Sequence, residues 1–263
     1  MKDNEYSLLA QELSRSYDAI PEVITMPGYF YPVVTQFLGR VDNKHVTDLG
    51  CGNGYLLRQI RDANPQALLT GVDFSAVLLS NAHARVPGGQ FTQADLNRGL
   101  PLATESQDVV VITEVIEHLV NSEILLSEAQ RVLKKCGECI LTFPNVDGWL
   151  LYRLLGELLP NTARRLPCLM LFVPGEHHQR TRQPIDAMLH YREVLAQVSA
   201  SGFIVEEAAG YEALPDIAAI KGIRHIDYFH PRLRLRLSKF ITKVFGAQLC
   251  YRVFLRCRKK EHQ

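Results

Sequence analysis

Asp48-Leu49-Gly50-Cys51-Gly52-Asn53-Gly54 is the stretch that decides how this chain folds. Residues 46–49 form a short apolar run that reads as a buried strand, and residues 55–64 carry helical spacing. A strand that passes through three alternate glycines and leaves as a helix is a ligand-binding turn. Glycine lets the backbone bend tightly and approach a ligand that a Cβ would exclude. The helix start adds free N–H groups and the positive end of a dipole. Spacing then separates the ligands. A dinucleotide loop, G-x-G-x-x-G, needs glycine at position 55, where Tyr55 stands. A phosphate loop needs Gly-Lys-Ser/Thr, which does not follow.

The same rhythm continues on both sides. Strands are predicted at 68–72, 90–94, 109–113 and 139–143, with helices at 75–84 and 123–133 between them. Residues 109–113 are an unbroken run of the kind buried on both faces. A helix at 192–200 ends at Gly202, and strands at 203–207 and 251–258 complete the set. Alternating strands and helices predict an α/β fold with a doubly wound, seven-stranded, mostly parallel sheet. Three aspartates fall where successive strands end: Asp48, Asp73 and Asp95. Carboxylates at those ends face one crevice. A carboxylate accepts both hydrogen bonds of a ribose diol, the role given to Asp73. Asp95 can accept from an adenine amino group, and Phe74 can lie against the ring.

Composition bounds the rest. With 47% hydrophobic and 22% charged residues, the chain is expected to fold as a soluble globule. No apolar run approaches the roughly 18 residues that span a bilayer. The start, MKDNEYSLLAQ, has no apolar signal stretch, so a cytoplasmic protein is expected. The six cysteines are scattered and read as free thiols, and the lone C-x-x-C at Cys136 and Cys139 lacks the second pair of a zinc site. Net charge is +1, yet residues 221–260 hold twelve Lys/Arg and one Asp/Glu. That asymmetry predicts an anionic partner or an acidic neighbouring surface.

The glycine loop, Asp73, Asp95 and the run 108–119 together resemble class I S-adenosylmethionine-dependent methyltransferases, over about residues 44–145. The resemblance implies a Rossmann-like fold whose seventh strand is antiparallel. It implies that Asp48 and the loop Gly50, Cys51, Gly52 and Gly54 hold the methionine end of S-adenosyl-L-methionine. It puts Asp73 on the ribose and Asp95 with Leu96 at the adenine. Relatives often have a proline in the turn at 133–138, which is missing here and affects only that turn. On this reading the chain is a single domain. Residues 1–40 are a helical N-terminal lid, with Tyr17, Tyr29, Phe30 and Tyr31 as candidate lid aromatics. Residues 44–145 are the cofactor-binding half and 146–190 a lid insertion. Residues 191–258 are the C-terminal half, with a basic insertion at 210–248.

Methyl transfer to oxygen or nitrogen needs a base near the methyl group. Thr113-Glu114-Val115-Ile116-Glu117-His118 leaves the fourth strand at the crevice, so Thr113 is expected to line the cofactor site. His118 is the first candidate base, because its ordinary pKa lies near neutrality, and Glu117 is the second. Glu114, Glu117 and His118 also have the Glu-x-x-Glu-His spacing of small-RNA 2′-O-methyltransferases, which implies a metal site completed by His177 or His178. The same run is similar to metal-free ubiquinone-pathway and glycolipid methyltransferases, and the leading reading assigns no metal.

On the acceptor side, Leu150, Leu151, Leu154, Leu155, Leu158 and Leu159 recur at helical spacing. They predict a packed lid, a dimer contact or a surface for a greasy acceptor. Read as a helix, 232–244 puts Leu233, Leu237, Phe240, Ile241 and Val244 on one face, and Arg232, Arg236, Lys239 and Lys243 on another. Such a helix can lie on an anionic membrane. Residues 232–237 also alternate strictly, as a strand would. Nucleic acid is disfavoured, since no stacking aromatics interleave with the charge. The leading function is O-methylation of a small or lipid-linked metabolite, in the cytoplasm or peripheral at a membrane. The alternatives are a metal-dependent RNA 2′-O-methyltransferase and a non-catalytic cofactor-binding module. Oligomeric state is left open.

Overall fold

The computed structural model describes residues 30–149, 187, 189–211, 239–240 and 242–260. Their strands are β1 (His45–Leu49), β2 (Leu68–Asp73), β3 (Gln90–Gln93), β4 (Gln107–Thr113), β5 (Leu133–Pro144), β6 (Phe203–Tyr211) and β7 (Arg252–Lys259). They form one seven-stranded sheet in the order β3-β2-β1-β4-β5-β7-β6. β3, β2, β1, β4 and β5 run parallel, and β7 lies antiparallel between β5 and β6. The order reverses between β1 and β4, which makes the crevice beyond their ends the ligand site expected of such a sheet.

Both faces are covered, and β4 shows how. Val109 and Val111 join one core, Val110 and Ile112 the other. The first core is closed by α1 (Phe30–Leu38), α2 (Tyr55–Ala63) and α3 (Ala76–Arg85). The second is closed by α4 (Ser122–Val132) and α5 (Tyr191–Ala200). Alternate side chains of a strand point to opposite faces, so a strand buried twice must be apolar at every position. Ser75 caps α3 by accepting from the Leu78 N–H at 3.2 Å, and Asn121 caps α4 through the Glu123 N–H.

The seven predicted strands and the helices predicted at 55–64, 75–84, 123–133 and 192–200 are present, with two instructive differences. β5 starts six residues earlier than the sequence suggests, because Leu133 pairs with Gln107 before four residues bulge out and pairing resumes at Glu138. This bulge is the turn that lacks the proline. Gly137 packs there where a Cβ would meet Leu133 at 2.8 Å, and Lys134 reaches Asp108 at 2.8 Å. The second difference is Phe30. It is fully buried against Phe254 rather than lying in a lid, because α1 inserts it under β7. Tyr31 does stay near the crevice loop, stacked on Tyr55 at 6.2 Å. Tyr17 and Tyr29 lie outside the described residues, as do Leu150–Leu159, His177, His178 and 232–237.

Candidate active site

The glycine loop folds back over the end of β2. Gly50 and Cys51 N–H groups both donate to the Val72 carbonyl, at 2.7 and 3.1 Å. Gly50 has φ +81°, and a Cβ there would meet Val115 at 2.4 Å, so the turn admits no side chain. Gly52, also left-handed at φ +48°, faces open space instead. Its N–H donates to Asp73 Oδ2 at 2.8 Å, and Ser75 N–H donates to Asp73 Oδ1 at 2.9 Å. Two backbone donors thus fix the Asp73 carboxylate at the mouth of the loop, and a carboxylate is an acceptor of the kind a ribose diol needs.

Asp48 is different. It is buried beneath the loop, and its Oδ1 has no hydrogen-bond partner among the described residues. Desolvation, reinforced by the Asp73 charge, pushes its pKa up to about 8. The Cys51 thiol is raised well above its ordinary range by the same burial and the same two carboxylates, which keeps it neutral. A buried pair of carboxyls under an open glycine loop is a seat for a cation. S-adenosylmethionine carries two positive groups, an ammonium and a sulfonium, and the residues present therefore fit it.

The adenine side is partly preformed. Asp95 Oδ1 accepts from Asn97 N–H at 3.0 Å, and Arg98 approaches its other oxygen at 3.6 Å. The carboxylate thereby shapes the loop after β3, while Gln93 Nε2 holds the Phe74 carbonyl at 2.9 Å. Leu96 is buried in the core with Leu49 and Val72. Thr113 is half-buried at the end of β4, in register with Thr142.

After β4 the chain makes a short turn, Ile116–His118. Glu117 is buried, and its carboxyl lies 3.7 Å from His118 Nε2. The two candidate bases are therefore neighbours at the crevice. Glu114 goes elsewhere. Its side chain reaches Arg252 Nε at 3.2 Å and Thr142 Oγ1 at 3.1 Å. The Glu114 and Arg252 side chains are 9% and 11% exposed. Glu114 also takes φ +53°, an uncommon conformation for a side chain of its kind, held by this pairing. Among the described residues, no three acidic, histidine or cysteine side chains come together as a metal site would require. Cys136 is exposed and Cys139 buried, so that pair shares no site.

Sequence reasoning missed Arg252, whose guanidinium also lies over the Phe30 ring at 5.0 Å. It missed the contacts that join residues 145–147 to 187–191 and 248–250 as well. Asn145 is fully buried and donates to the Gln248 and Cys250 carbonyls. Asp147 takes the His190 ring at 2.8 Å and the Tyr191 N–H at 3.0 Å, and the Ala187 N–H donates to the Glu117 carbonyl at 2.8 Å. The two ends of the 146–190 insertion are thus clasped beside Glu117 and His118. A polar residue just after a strand, as Asn145 and Asp147 are, was the only available signal.

Residues 47–141 match the family model described as a methyltransferase domain. A trans-aconitate 2-methyltransferase of Acidovorax sp. is 29% identical over 133 residues, covering 49% of this chain and 51% of the relative. A demethylmenaquinone methyltransferase of Thermotoga maritima is 25% identical over 159 residues, 60% of this chain and 63% of the relative. The chain spans about half the length of the first curated relatives it matches. In fold it is similar to an S-adenosylmethionine dependent methyltransferase from Mesorhizobium loti, with a TM-score of 0.59 at 17% identity over 88% of this chain and 98% of that one. Glycine loop, aspartates, strand order and family match agree: over residues 47–141 the chain carries a methyltransferase domain, on a sheet with the fold of S-adenosylmethionine-dependent methyltransferases.

Proposed function

We propose that this protein is an enzyme that methylates an oxygen of a small or lipid-linked metabolite. The observation that carries the donor half is the buried Asp48 carboxyl, whose Oδ1 has no hydrogen-bond partner among the described residues, set beside Asp73 under the open glycine loop. Asp48 and the loop from Gly50 to Gly54 hold the methionine end, Asp73 the ribose, and Asp95, Phe74 and Leu96 the adenine. Thr113 lines the floor. When bound, the cofactor supplies an electrophilic methyl group on a sulfonium. The protein's part is alignment of the acceptor oxygen and removal of its proton. The His118 imidazole takes that proton, and the adjacent Glu117 carboxyl stabilises the resulting imidazolium. The clasped insertion 146–190 and the basic insertion 210–248 cover the acceptor. The acceptor is reached from the cytoplasmic side, at an anionic membrane surface that residues 221–260 contact.

The named relatives support a small-molecule acceptor, since one acts on trans-aconitate and another on demethylmenaquinone. An RNA reading needs Glu114, Glu117 and His118 to share a metal, and the Arg252 pairing draws Glu114 away from that role. The test has two stages. Calorimetry should detect binding of S-adenosylmethionine or its demethylated product; no heat with either rejects the reading. Then the protein is incubated with cell extract and labelled donor, and label is separated into lipid, small-molecule and RNA fractions. Label in lipid or small molecules supports the proposal, label in RNA revives the alternative, and binding without any transfer indicates a non-catalytic module.

A further inference from the structure

Residues 239–240 and 242–245 are helical, and three large apolar side chains on this turn stand in solvent. Phe240 is 60% exposed, Val244 53% and Phe245 55%, with Leu249 partly exposed beyond them. Scattered single apolar residues on a surface need no explanation, but a cluster this dense does. Phe240 and Val244 are four residues apart, so they sit one above the other on the helix. Lys239 and Lys243 repeat the same spacing one position earlier and are also exposed. From 228 to 260 the sequence has no Asp or Glu at all, while Arg232, Arg234 and Arg236 precede the turn. Nothing in that stretch would repel an anionic surface.

The turn is anchored. The Thr242 hydroxyl accepts from Gly210 N–H at 2.9 Å, at the crevice end of β6. Ala247 and Cys250 are buried, and the short helix Ala247–Leu249 packs on the turn Val146–Trp149. Asn145, at the foot of the lid insertion, binds the carbonyls of Gln248 and Cys250. The apolar knob is therefore built onto the rim of the crevice, beside the turn Val146–Trp149.

We infer that Phe240, Val244 and Phe245 form a wedge that inserts into an anionic lipid bilayer, with Lys239 and Lys243 on the headgroups. Aromatic side chains are suited to the interface, where burial of the ring drives insertion and the lysines add attraction to anionic lipid. A crevice held at the membrane in this way can take an acceptor whose tail stays in the bilayer. The inference rests on the proposed lipid-linked acceptor only for its purpose, and its test involves no methyl transfer.

The experiment is flotation of the whole chain with vesicles of phosphatidylcholine plus phosphatidylglycerol, against phosphatidylcholine alone. The chain should bind the anionic vesicles and leave the neutral ones. Phe240→Ser with Phe245→Ser should lower partitioning about a hundredfold. Lys239→Gln with Lys243→Gln should lower it roughly thirtyfold, with the loss vanishing at high salt. All four residues are exposed, so thermal melting should be unchanged and confirms folding. Three results overturn the inference: no flotation of the unaltered chain, flotation indifferent to the phenylalanine pair, or a dimer in sedimentation that the phenylalanine pair dissolves. Flotation that persists in a chain giving no calorimetric response to the methyl donor keeps the wedge and removes the proposed function instead.

Discussion

The donor half and the acceptor side solve different problems with the same sheet. In the donor half, Asp73 is gripped by two backbone N–H groups, Gly50 is packed against Val115, and the loop hangs from the Val72 carbonyl. These contacts are local to a strand end or use the backbone. On the acceptor side, the contacts run between distant segments: Glu114 to Arg252, Asn145 to Gln248, Asp147 to His190. A donor that never changes can be met by a fixed backbone cradle. On the proposed function, an acceptor that differs from one relative to the next calls for side chains drawn from distant segments, and that half of the molecule can diverge without disturbing the other.

The sharpest way to test this division is Asp73→Ala. It removes the proposed ribose acceptor and releases the Gly52 and Ser75 N–H groups together. Two charge-assisted hydrogen bonds at roughly 2 kcal/mol each give a loss of about 4 kcal/mol, near a thousandfold in donor affinity by calorimetry. Vesicle binding should be untouched. Unchanged donor affinity would remove Asp73 from the site.

The next effect probes the link between the halves. Glu114→Ala leaves Arg252 buried without its carboxylate, and removing one member of a buried pair costs about 3 kcal/mol. Thermal or denaturant unfolding measures it. Arg252→Ala should cost a similar amount, and the double variant should cost less than the two added together. Additive losses would mean that the pair carries no coupling between β4 and β7.

These two residues also show what the sequence disclosed and what it hid. The glycine loop, the three aspartates and the seven strands were legible, because each is a local pattern with one physical reading. Asp73 could be placed at the crevice from its position at a strand end in step with the glycine loop. Glu114 was grouped with Glu117 and His118 by spacing, and its actual partner stands 138 residues further on. Phe30 was read as a lid aromatic for the same reason: its neighbour Phe254 comes from the last strand. The length of β5 was hidden by a bulge, which interrupts alternation without ending the strand. Local chemistry is written in order along the chain, whereas long-range pairing is not.

A pH-dependent effect comes from Asp48. Its pKa of about 8 lies above its ordinary 3.8, so the folded chain keeps a proton that the unfolded chain has lost. Without cofactor, stability should therefore fall as pH rises from about 4 to about 8. A cationic ligand favours the ionised carboxyl, so donor affinity should rise over the upper part of that range by at most about tenfold per pH unit. Asp48→Asn should flatten both profiles. Parallel slopes in the variant would show that another group supplies the proton.

The smallest effect belongs to the acceptor side and tests whether its clasp is a hinge. The Asp147 hydrogen bond, outweighing some desolvation and helped by nearby charge from Asp147 and Glu193, raises the His190 pKa above its ordinary 6.5. A raised histidine contributes its stability below 6.5, and that contribution is lost as pH climbs through the folded value. Both partners are well exposed, so solvent screens the pair and its worth is below about 1 kcal/mol. Global unfolding will scarcely register it. Amide exchange at Tyr191, whose N–H is bound to Asp147 Oδ2, reads the clasp directly. Exchange there, corrected for its intrinsic pH dependence, should speed up about fivefold or less between pH 6 and pH 8. His190→Ala should show the faster rate at both values, while the amides of β4 stay protected. If Tyr191 and β4 respond alike, the Asp147–His190 clasp is one unit with the donor half, and the division between the two regions fails at that point.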